Sequence, residues 1–101
     1  MIENNSTNHT AEYMNGAQTI AAYEGILAIT GKMLQAAHAS DWDGLVALEQ
    51  ECKHITSRLI GQQTQHKLDE SQQKKKIALI QQILAHDAAI RAVTEPWMMH
   101  L

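Results

Sequence analysis

Only one proline, Pro96, occurs in the 101 residues, and it lies five residues from the end. Proline removes an amide donor and clashes with the preceding turn, so almost the whole chain is free of the strongest helix breaker. Nowhere do β-branched or aromatic residues alternate with polar ones over a strand's length. The fold expected is therefore all-α. Three amphipathic stretches stand out, at residues 17–39, 41–61 and 70–94. Each is about twenty residues, or about 30 Å at helical rise. Matched lengths of this kind suit an antiparallel three-helix bundle.

Local punctuation agrees with those limits. Asn15 followed by Gln18 has the form of a capping box, with Thr10 as an earlier alternative start. Ser40 reads as the N-cap of the second helix, with Asp41 and Asp43 placing negative charge against the positive end of its dipole. Gly61 reads as that helix's C-cap, and the polar run 62–67 as loop or frayed turn. Asp69 with Gln72 offers a second capping box. Pro96 is expected to end or kink the third helix near Thr94, which makes Trp97 to Leu101 the start of a truncated fourth, C-terminal helix. The chain then divides into a loose N-terminal tail, residues 1–15, and one helical domain, residues 16–101.

Composition narrows the setting. The tail is polar and has no apolar run long enough for a signal peptide or membrane span, so no membrane insertion is expected. A lone cysteine, Cys52, cannot form an internal disulfide, which fits a reducing cytoplasm. A net charge of -3 and a pI near 6.0 supply no general attraction to nucleic acid. The one basic run, Lys74 to Lys76, reads as a solvated helix face. Phe is absent and aromatics make up 4%, so aliphatic residues, Ala and Met must build the core.

The apolar residues exceed what that core needs. On a helical wheel the first helix gathers Ile20, Tyr23, Leu27, Thr30 and Leu34 on one face, with Ile26, Ile29 and Met33 on a flank. The second has a cleaner stripe, Leu45, Leu48, Cys52, Ile55 and Leu59, with Trp42, Val46 and Ile60 apart from it. The third carries two stripes: Ile77, Ile80, Leu84 and Ala88, read as its core face, and Leu79, Ile83, Ile90 and Val93 nearly opposite. Burying a large aliphatic side chain contributes about 1.5 to 3 kcal/mol. A second stripe of four should therefore meet a partner, either a fourth helix, another copy of the chain or an amphipathic helix of a client. Gly25 and Gly31 inside the first helix either permit close helix approach or loosen it.

Reaction chemistry is not evident. The six histidines lack metal-binding spacing, and neither a metal nor a cofactor is expected. His54 and His86 read as exposed or rim residues. Asp87 with Arg91, and Glu49 with Lys53, read as surface ion pairs. There is no phosphate loop or nucleophile elbow, Cys52 has no activating base, and the paired acids at 41 and 43 are better explained as helix N-terminal charges. An enzyme is not indicated.

Several pieces together resemble a known family. These are Tyr23-x-x-Ile26-Leu27, then Ser40-Asp41-Trp42-Asp43-x-Leu45-x-x-Leu48-Glu49, then Ile77-x-x-Ile80-x-x-Ile83-Leu84-x-x-Asp87-x-x-Ile90-Arg91, and Glu95-Pro96-Trp97-Met98. Their order and spacing look like the FliT family of flagellar export chaperones, over nearly four fifths of the chain. The resemblance implies a cytoplasmic protein that binds the C-terminal helical segment of the filament-cap protein, prevents its premature assembly and delivers it to the type III export apparatus. Implied partners are the cap protein, the export ATPase complex or export gate, and in some members a flagellar transcriptional activator. In such proteins a C-terminal helix can cover the client groove. Here the sequence runs only five residues past Pro96, so that cover is expected to be truncated and an open groove could drive self-association.

The surplus stripe and the resemblance converge on one expected site, the groove between the second and third helices, lined by Ile55, Leu59, Leu79, Ile83, Ile90 and Val93. Two other readings remain at this point: a transcriptional co-regulator that sequesters an activator through the same helices, and a homodimeric helical adaptor.

Overall fold

A computed structural model of the chain describes residues 15–62 and 68–98. These residues form three α-helices and no strand: α1 (Gly16–His38), α2 (Trp42–Gln62) and α3 (Glu70–Met98). The tail expected at residues 1–15 lies outside the described residues except for Asn15, as do residues 63–67 and 99–101.

Two helix starts follow from side chains visible in the sequence. Asn15 accepts from the Gln18 amide at 2.8 Å while the Gln18 side chain accepts from the Asn15 amide at 3.0 Å. Asp69 and Gln72 repeat the arrangement at 2.7 and 3.1 Å. Each box satisfies two amides that have no partner inside the helix.

The turn between α1 and α2 differs from expectation. Ser40 does not cap α2. Its φ is 57°, in the left-handed region, where its amide donates to Ala37 O at 3.1 Å while the Asp41 amide donates to Ala36 O at 2.8 Å. That pair of bonds is the Schellman closure of α1, with serine where glycine is usual. The cap of α2 is Asp41, whose carboxylate accepts from the Gly44 amide at 3.0 Å.

Of the two outcomes expected at Pro96, an end or a kink near Thr94, the end does not occur, because the third helix runs through Pro96 to Met98. The proline removes one intrahelical hydrogen bond, and the loss falls in the last turn, where few bonds depend on it. Trp97 and Met98 therefore extend α3 instead of opening a fourth helix. Likewise Gly61 lies within α2, not beyond its end.

In packing, α1 is central. It contacts both other helices along its length, whereas the backbones of α2 and α3 approach each other only marginally. Gly25 of α1 faces Ile55 of α2. Thr30 Oγ1 is 2.9 Å from His86 Nδ1 of α3, and Glu24 pairs with Lys75 at 3.4 Å. His86 is thus a half-buried seam residue, not a rim one. A methyl added at Gly25 or Gly31 would meet Ile55 at 3.8 Å or His86 at 3.5 Å, ordinary contacts, so neither glycine is needed for helix approach.

The central position explains the two apolar arcs of α1. Five of the eight buried apolar side chains among the described residues, Ile20, Ile26, Ile29, Ala36 and Ala37, belong to it. The supposed flank, Ile26 and Ile29, is core. Ile26 and Leu59 form the centre, with Tyr23, Cys52, Ile55 and Ile83 packed around them, so all three helices meet there.

Candidate functional site

Because α2 and α3 each pack on α1 but hardly on one another, a groove is left between them with α1 as its floor. Ile26, Thr30 and Met33 of α1 form the base, Cys52 and Thr56 stand on the α2 side, and Ile83, Leu84 and Ile90 on the α3 side. This stretch holds about 550 Å³. A second stretch of about 320 Å³ shares Met33, Glu49, Asp87 and Ile90 with it and continues to Trp42, Leu45 and Thr94. The two make one trough that runs from the middle of α2 to its first residue.

The trough is apolar in its base and polar at its edges. Glu49 pairs with Lys53 and Asp87 with Arg91, each at 3.2 Å along its own helix. Thr30 Oγ1 donates to Leu27 O at 2.9 Å and lies 2.9 Å from His86 Nδ1, a hydrogen bond that closes the seam beneath. Leu84 stands on the α3 edge, 60% exposed. The arrangement is suited to laying an amphipathic helix between two others, in the manner of a helix-in-groove interface. Among the described residues no group of three or more His, Cys, Asp or Glu could hold a metal ion, and no helix is long and apolar enough to cross a membrane.

A family model described as flagellar protein FliT matches residues 20–101. The chain belongs to the FliT family. A crystal structure of flagellar protein FliT from Bordetella bronchiseptica is similar to it, with a TM-score of 0.71 and 33% identity over 81% of this chain and 93% of that one. No curated protein sequence matches the chain. FliT membership makes it a flagellar protein of the chaperone kind, the coarse assignment its sequence pattern implied.

In this FliT-family chain the six residues expected to line the groove part company. Ile83 and Ile90 line the groove, Ile90 as a buried residue at its base. Leu59 and Leu79 are buried, 4% and 7% exposed, and support the fold. Ile55 packs on the Ile26–Leu59 centre and borders a separate depression with Gln18, Gly25 and Arg58. Val93 is half-buried and lines neither stretch of the trough. The two stripes of α3 are also exchanged relative to expectation: Leu79 and Ile90 face the core, while Ile77 and Leu84 of the supposed core stripe are 52% and 60% exposed. Sequence reasoning missed the floor, Ile26, Thr30 and Met33, although the apolar flank of the first helix was its visible signal.

Proposed function

We propose that the protein is a cytoplasmic flagellar export chaperone that holds the C-terminal helical segment of the filament-cap protein in the trough between α2 and α3, keeps it from assembling early and hands it to the export ATPase complex or export gate. The observation that carries the reading is the unfilled apolar trough itself, with Leu84 exposed on its edge above Ile26, Ile83 and Ile90. A guest helix there buries side chains that the chain's own core leaves uncovered. Ile83 and Ile90 then serve as client contacts with Met33, Cys52 and Leu84, whereas Leu59 and Leu79 act from beneath.

Calorimetric titration of the cap protein's C-terminal peptide into the wild type and Leu84→Asp tests this. Because Leu84 is exposed, the variant keeps its fold and affinity drops at least tenfold; unchanged affinity in a folded variant removes the trough as the client site. A second reading, self-association, is favoured by Val46, Ile60 and Ile77, which are 55%, 65% and 52% exposed outside the trough lining. Light scattering separates the two, since a dimer built on those residues survives saturation with the peptide.

A further inference from the structure

The trough changes character along its length. At its Trp42 end Met33, Leu45 and Ile90 make an apolar base, Trp42 stands beside it, and Glu49 and Asp87 enter from opposite walls. Among the described residues no Lys or Arg lines this end. Each carboxylate has a cation one turn away on its own helix, but in both pairs the cation is the more exposed member. Lys53 is 73% exposed against 53% for Glu49, and Arg91 66% against 49% for Asp87. Arg91 lines neither stretch of the trough. Lys53 lines only the first stretch, so among the described residues both carboxylates border the Trp42 end of the trough without a cation of the chain beside them in its lining.

That geometry sets a requirement on whatever is laid in the trough. A guest helix takes water away from Glu49 and Asp87, and their exposed intrahelical partners are weak, salt-screened compensation. Hydrocarbon opposite two carboxylates leaves them under-solvated, and an acidic residue repels them. A lysine or arginine meets both needs. Its methylene stem continues the apolar base, and its head makes charge-assisted hydrogen bonds.

We propose that the Trp42 end of the trough is a socket for one cationic side chain of a bound amphipathic helix, with the stem on Met33, Leu45 and Ile90 and the head between Glu49 and Asp87. The inference rests on the trough as the client site and gives the guest a direction: its cation lies toward Trp42 and its apolar anchors toward Ile26 and Ile83.

Two kinds of probe test it with the full chain. The cap protein's C-terminal peptide is titrated with each Lys or Arg changed in turn to Gln. A designed pair of Leu-rich amphipathic helices, identical except for one Arg or Gln at the end of the apolar stripe, is titrated in parallel. The socket predicts that one substitution in the natural peptide, and the Arg-to-Gln exchange in the designed pair, each weaken binding about tenfold at low salt. It also predicts that Glu49→Gln with Asp87→Asn abolishes the difference while circular dichroism stays unchanged. A cap peptide that fails to bind, with a designed pair that still differs, defeats the cap-protein assignment and leaves the socket standing. Equal affinity within the designed pair, a difference that persists in the double variant, or no binding by any probe overturns the socket.

Discussion

The seam between α1 and α3 and the gap between α2 and α3 use the same third helix in opposite ways. Across the seam the helices are joined by the Thr30–His86 hydrogen bond at 2.9 Å and the Glu24–Lys75 ion pair at 3.4 Å. Across the gap the backbones scarcely approach, and the ion pairs there run along each helix instead of between them. On the proposed reading, the difference is how a small three-helix fold keeps a binding surface. One helix is enclosed by two others, and those two are left without the contacts that would close them on each other. Stability is concentrated on α1, and the surface left over is available to a guest.

Several substitutions can break or sharpen this contrast. The largest effect is expected where seam and gap share their base: Ile26→Ala should cost about 3 kcal/mol in denaturant unfolding, because a buried isoleucine at the meeting point of three helices leaves a cavity. A much smaller loss there would mean that the centre is looser than the geometry indicates. In the seam itself, Thr30→Val keeps the shape but removes the hydroxyl that is hydrogen-bonded to His86. It should cost about 1 kcal/mol by the same measurement. No loss would show that packing alone joins α1 to α3.

At the turn that sets α2 against α1, Ser40→Gly should stabilise by about 1 kcal/mol, since glycine carries no penalty for a left-handed backbone. For a domain of this size that raises Tm by about 4 to 8 °C in calorimetry. The smallest change is expected in the gap, where Leu84→Asp should alter stability by less than about 0.5 kcal/mol. If it destabilises as much as Ile26→Ala, Leu84 belongs to the core and the gap is not open.

What could be read from the chain alone follows the range of the forces involved. Asn15–Gln18 and Asp69–Gln72 were legible because a capping box is complete within four residues. Ser40 was misread because its role depends on how α1 closes, a backbone geometry that a serine gives no reason to expect. Pro96 does not end α3 because it falls in the last turn, where the amide it lacks matters least. The wheel showed correctly that α3 has two apolar faces, but the identity of the face that meets α1 is a property of the neighbour, and so the stripes were exchanged. For the same reason Ile83 and Ile90 were placed on the groove while Leu59 and Leu79, equally apolar, lie beneath it. Ile55 and Val93 also fall outside the trough lining, and the contribution of α1 to its floor required knowing that α1 is central.

The chain carries its own reporter for the central claim. Cys52, its single cysteine, lines the trough and is half-buried there. The rate of Cys52 alkylation by a small thiol reagent, measured with and without a saturating amount of the cap protein's C-terminal peptide, asks directly whether the guest occupies the space between α2 and α3. At least tenfold slowing is predicted; an unchanged rate with peptide demonstrably bound would place the guest elsewhere and contradict the account.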